Sequence, residues 1–175
     1  MARLSTPNVN TMTERQKEVH DAIAAGPRGA VVGPLGVWLN RAELADKAQQ
    51  LGQYCRYDSS LDPRLSELAI LVTARIWDAT FEWQSHEPPA RAAGLPDAVI
   101  TALANDQLPK FDRDDEAFVY KVARTLNLER GLPDDLYGEA MDILGRDGLV
   151  DLIGVLGYYA LISMTIKAFD VDPIS

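Results

Sequence analysis

Apolar residues recur at three- and four-residue steps along most of the chain, the spacing of helices with one inward face. In "RLSELAIL" and the residues that follow, Leu65, Leu68, Ala69, Val72 and Ile76 share such a face, opened by Asp62 as N-cap and Pro63 at the first helical position. Thr13 with Gln16 makes a capping-box pattern for an earlier helix that turns Val19 and Ile23 inward and stops at Gly26-Pro27. Asn40 and Glu43 repeat the pattern and open a helix through about residue 57 that ends in "YDSSLD". "LPDAVITALAND" starts at Pro96, and "DRDDEAFVYKVARTLNLERG" gathers its acids at the positive end of the helix dipole. "LPDDLYGEAMDILGRDG" starts at Pro133 and ends in a glycine-bearing turn, and a last helix covers residues 149–169. Between the first two helices "PRGAVVGPLGVWL" has no sustained period and reads as an irregular loop. The predicted class is all-α, about seven helices in a single domain over residues 1–175, with residues 1–12 as a loosely ordered arm.

The most apolar run, "LIGVLGYYALISMTI", is shorter than the ~20 residues that span a bilayer and follows Asp151 directly, so a buried helix is expected. Its Gly154, Gly157, Ala160 and Ser163 permit close approach of another helix, in the core or at a subunit contact. A net charge of -9 disfavours nucleic acid and acidic membrane surfaces and leaves small molecules and proteins as partners. The one cysteine, Cys55, allows no internal disulfide, CxxC pair or thiolate zinc site and suits a reducing, cytoplasmic compartment. "MARLSTPNVNTMTERQ" lacks the apolar core of an export signal.

Three residues stand out chemically. Glu67 lies in the helix whose two sides both look apolar, so it loses hydration unless a cation or donors hold its charge; Arg64, Arg75 or a backbone group would serve. His86 follows Glu82 by four residues, so a carboxylate on the same helical face can orient the imidazole and favour its charged form, although such pairs also decorate plain surface helices. Pro88 and Pro89 come next, and they predict a kink or a helix restart just after His86 because neither can donate to the carbonyls of Gln84 and Ser85. The other histidine, His20, lies among Lys17, Glu18 and Asp21 and reads as solvated. Metal binding is not expected, since His86, Glu82 and Glu67 are the only plausible ligands, and "DRDDE" lacks the spacing of a calcium loop. No Walker A, G-x-G-x-x-G or G-x-S-x-G motif is present.

Together "RLSELAIL" and "ARIWDATFEWQSHEPPARAAGL" resemble the carboxymuconolactone decarboxylase family of the alkylhydroperoxidase-like superfamily, with weaker similarity in "GPLGVWLNRAEL" and "GYYALISMTIKAF". The peroxidase branch of that superfamily carries a glutamate ahead of a C-x-x-C-x-x-x-H signature. Aligned on His86, this sequence has Ala79 and Glu82 at the two cysteine positions and Glu67 at the position of the glutamate. The thiols are missing, so disulfide-based peroxidase chemistry is excluded and the decarboxylase branch is the better likeness. The resemblance implies an alkylhydroperoxidase-like helical bundle, a homotrimer or homohexamer, no cofactor, and a small carboxylated organic acid or lactone as substrate. It further implies His86 as the acid, Glu82 as its orienting partner and Glu67 as a second relay group. Arg75 would hold a substrate carboxylate, and Trp83 would wall the pocket.

Overall fold

In the computed structural model, which describes residues 2–174, the Thr13 hydroxyl accepts from the Gln16 backbone and the Gln16 side chain accepts from the Thr13 N–H. This reciprocal cap opens α1 (Glu14–Ala25), which buries Val19 and Ile23 and ends at Gly26 as its sequence predicts. The expected irregular loop contains a short buried helix, α2 (Pro34–Trp38). Gly33 at φ 55° turns the chain into it, and a side chain at Gly33 would overlap the ring of Phe81. Pro34, with φ already helical, starts the turn.

α3 (Ala42–Gln53) begins later than the Asn40 cap predicts. The Asn40 amide instead donates to the carbonyls of Val37 and Ser5 at 3.0 and 3.1 Å, which ties α2 and the N-terminal residues together, and α3 starts with no side-chain cap. A π-helical turn, Tyr54–Asp58, extends α3 to about the predicted end. Asp62 then accepts from the Arg64 N–H and starts α4 (Pro63–Ile76). It is followed by α5 (Thr80–Ala92), α6 (Asp97–Ala104), α7 (Asp114–Glu129), α8 (Asp134–Ile143) and α9 (Gly145–Phe169). Among the described residues there are thus eight helices of eight residues or more, one five-residue helix and no strand. Helix α9 starts four residues earlier than its pattern predicts, because Gly145 at φ 68° needs only Leu144 as a turn after α8.

The core is built around α4, which is buried on every side from Arg64 to Ala74 and packs against α5, α7 and α9. At 25 residues α9 is long and apolar enough to cross a membrane by length and composition. Most of it is nevertheless buried against α4, α8 and α2, as a core helix would be, and Trp38 Nε1 donates to Thr165 Oγ1 at 2.9 Å across that contact. Residues ahead of α1 run back to the end of α9, where the Arg3 N–H donates to the Phe169 carbonyl at 2.7 Å.

Burial on all sides makes the charged residues of α4 expensive unless they are paired. Arg64 reaches α7, donating to Glu116 at 2.5 Å and Asp115 at 2.7 Å, with Glu116 wholly buried. The acids at the start of α7 therefore do more than meet a helix dipole: they fasten α7 to α4. Hydrogen bonds from Arg113 and Arg64 hold the Asp115 carboxyl down at about 2 despite its partial burial. Arg64→Met strands the Glu116 charge, and urea unfolding should show a loss of roughly 3–5 kcal/mol. A double change, Arg64→Met with Glu116→Leu, should recover most of it.

Candidate active site

Helices α4 and α5 are joined by a three-residue turn. Trp77 ends α4, Asp78 takes a left-handed conformation at φ 50°, and Ala79 already caps α5. Lys167 of α9 pins the turn by donating to the Asp78 carbonyl and carboxylate, each at 3.1 Å. The two helices lie together, and Glu67 on α4 comes opposite His86 on α5 across nineteen residues of sequence.

The three residues singled out in the sequence meet in one cluster. His86 Nδ1 lies 2.7 Å from Glu67 Oε2, and its Nε2 lies 3.0 Å from Glu82 Oε1. All three are buried: Glu67 is 7% exposed, Glu82 3% and His86 3%. Glu67 is thus held by His86, with neither Arg64 nor Arg75 beside it. Burial alone would drive the imidazole toward its neutral form. The hydrogen bonds and charges of Glu67 and Glu82 outweigh that penalty and raise the His86 pKa above its ordinary value. A carboxylate at each nitrogen favours the charged form of the ring, in which Nδ1 and Nε2 both carry a proton. The edge of Tyr159 from α9 meets the imidazole at 4.9 Å and 83°, which fixes its plane. The Nδ1 and Nε2 lone-pair directions diverge, so Glu67 and Glu82 cannot converge with His86 on one metal ion, and no group of three such ligands is found among the described residues.

A cleft of about 100 Å³ opens on this cluster. Glu82, His86 and Tyr159 form its polar wall, and Leu35, Phe81 and Ile162 are among its apolar ones. Glu67 does not line it and lies behind the imidazole. Arg28 and Arg56 also line it, and Arg28 Nη2 donates to Tyr158 Oη at 3.4 Å. Burial pushes the Tyr158 hydroxyl up to about 12 and raises that of Tyr159 as well. Arg75 and Trp83 are brought together elsewhere, in a separate cleft of about 170 Å³ near the start of α5. There Arg75 is 3.9 Å from Asp106, and Trp83 Nε1 donates to Glu87 at 2.8 Å. Cys55 is buried away from the Glu82–His86 cleft, and desolvation pushes its thiol up to about 11.

The helix does not restart after His86. Helix α5 runs from Thr80 to Ala92 with both prolines inside it. Each proline carbonyl can still accept, and Pro89 takes the Ala93 N–H at 2.8 Å; only two donors are lost. Pro88 is exposed and Pro89, Gln84 and Ser85 are half-buried, so neither missing bond lies in the closed core. That continuity keeps Glu82 and His86 in helical register. Arg28, Arg56 and Tyr159 were not found as site residues from the sequence. They stand on a loop, a π-helical turn and α9, and no spacing connects them to His86.

The sequence matches no family model and no curated protein. Solved structures share the fold, among them two peroxidase-related proteins. One is an uncharacterized peroxidase-related protein from Silicibacter sp. TM1040, with a TM-score of 0.78 and 13% identity over 99% of this chain and 92% of the other. The second, described as an alkylhydroperoxidase AhpD core and an uncharacterized peroxidase-related protein from Ralstonia eutropha JMP134, has a TM-score of 0.77 and 11% identity over 99% of this chain and 93% of the other. The chain therefore has the all-α alkylhydroperoxidase-like fold.

A raised folded-state pKa at His86 has a definite sign in stability. Its pairing contributes in full below the unfolded value of about 6.5, and the contribution fades as pH rises through the folded value. The difference in unfolding free energy between the wild type and Glu82→Gln should shrink as pH increases from about 6.5. A difference that stays constant or grows would contradict the ionic pairing.

Proposed function

We propose that the Glu67–His86–Glu82 chain is the proton relay of a cofactor-free lyase acting on a small carboxylated organic acid or lactone, the chemistry of the carboxymuconolactone decarboxylase branch. The observation that carries this reading is one imidazole held between two buried carboxylates, with the outer carboxylate on the wall of a cleft that is part apolar and part polar. Decarboxylation breaks a carbon–carbon bond, releases carbon dioxide and leaves the electron pair on the substrate as a delocalised carbanion. A proton must then reach that carbon from a positioned acid. His86 with Glu82 supplies it at the cleft, and Glu67 behind the ring holds the imidazole in place and stabilises its charged form. Water returns the proton after product leaves. The apolar part of the wall, Leu35, Phe81 and Ile162, suits the spread charge that follows loss of the carboxylate.

Thiol-based peroxide reduction has no support in this chain, whatever the fold: Ala79 and Glu82 stand where that chemistry would place cysteines, and Cys55 is buried outside the cleft. Assembly into a homotrimer or homohexamer, in the cytoplasm, belongs to the same proposal. Exposed Val150, Ile153, Leu161 and Met164 along α9 favour a protein contact there. A second reading, a non-catalytic small-molecule-binding protein of the same fold, draws on the occupation of both His86 nitrogens by carboxylates.

The two readings part on product. Incubated with a panel of β-keto, vinylogous and lactone acids, the wild type should release carbon dioxide from at least one. His86→Gln should lower that rate by at least ~100-fold, the usual share of a positioned acid, while remaining folded and assembled. Undiminished turnover in that variant would remove the site assignment. Saturable binding without product from any acid favours the binding protein.

A further inference from the structure

We infer that Arg28, Arg56 and Tyr159 form a carboxylate-binding subsite in the Glu82–His86 cleft, which anchors an anionic group that the ligand keeps. The three residues line the same cleft from three separate parts of the chain. Acids outnumber bases 26 to 17 in the sequence, and Arg15, Arg64, Arg91 and Arg113 each take acidic partners. Among the described residues Arg28 and Arg56 have none: Arg28 meets Tyr158, and Arg56 lies 5.4 Å from the ring of its neighbour Tyr57.

Two donors at the cleft are also left over. Arg28 Nε and Tyr159 Oη are both buried with no hydrogen-bond partner. Unmatched buried donors are costly, and a carboxylate has the acceptor oxygens to match them. A guanidinium fork and a phenol hydroxyl suit such a group, and the second guanidinium adds charge. The backbone accommodates the arrangement at Gly52 of α3, where a Cβ would overlap both Tyr158 Oη and Arg28 Nη2. At about 100 Å³ the cleft is below the ~300–1,000 Å³ of drug-sized pockets, so the ligand is an acid of a few carbons. The statement that the anchored carboxylate is not the one lost rests on the lyase reading, because guanidiniums bound to the departing group would stabilise the ground state against its loss.

The test uses binding and needs no turnover. Acetate and crotonate, with crotonamide as the neutral isostere, are titrated against the full chain by ligand-observed NMR. Saturable binding of crotonate is expected, at least ~10-fold tighter than crotonamide, because a charge-assisted hydrogen bond is worth about that much or more. Arg28→Gln and Arg56→Gln should each weaken it by at least ~10-fold, and Tyr159→Phe by a smaller factor. Arg56 is half-buried with only a neighbouring ring as partner, so Arg56→Gln is the variant to rely on if Arg28→Gln fails to fold. Equal binding of acid and amide, binding unchanged by Arg56→Gln, or no saturable binding of acetate or crotonate would each overturn the subsite. The lyase reading fails separately: arginine-dependent binding of crotonate with no carbon dioxide from any acid removes the reaction and leaves the subsite standing.

Discussion

An imidazole taken out of water keeps its charge only where the surroundings replace what hydration supplied. At His86 that replacement is one carboxylate on each ring nitrogen, both themselves buried. Loss of either carboxylate leaves the imidazolium one charged partner instead of two and one ring N–H without its acceptor, which typically costs about 1–3 kcal/mol. The cluster is therefore a structural fastening between α4 and α5 and, in the proposed function, the source of the transferred proton. The rest of the fold can be understood as what holds α4 and α5 at that separation.

Three features do so. The turn at Asp78, pinned from α9 by Lys167, sets where α5 begins. The ion pairs of Arg64 with Asp115 and Glu116 hold α7 to the opposite side of α4, so that α4 is enclosed along most of its length. Tyr159 brings α9 onto the imidazole edge. These contacts are all between distant parts of the chain, and they leave Glu82 and His86 on the wall of one cleft. Glu67 and Glu82 are consequently not equivalent: the first supports the ring from behind, and the second faces the ligand space.

Much of this was legible in the sequence where the signal is local. The Thr13–Gln16 box, the Asp62-Pro63 start and the i,i+4 pair at Glu82 and His86 each depend on residues within one turn of one another. Glu67 could be picked out because a carboxylate flanked by apolar residues on both sides of a helix needs a partner. Its partner could not, since the choice among Arg64, Arg75 and His86 depends on helix packing. Asn40 misled because its amide has carbonyls of α2 and the N-terminal residues within reach, a competition that no capping pattern includes. The prolines predicted a kink or a restart, and the restart does not occur. Their cost is real, but it falls on residues that are not fully buried and takes away only donors, so the packed face of α5 keeps the helix whole. Arg28, Arg56 and Tyr159 had no signal at all, because nothing local to positions 28, 56 and 159 records that they border one cleft.

Nitrogen-15 NMR of the His86 ring tests the ionic clamp most directly, because the two nitrogens report separately whether each carries a proton. Followed as a function of pH, both should resonate as N–H below the ordinary imidazole pKa of about 6.5, and the midpoint at which a proton leaves should lie above that value. A midpoint at or below it would contradict the account of an imidazole whose charged form Glu67 and Glu82 hold.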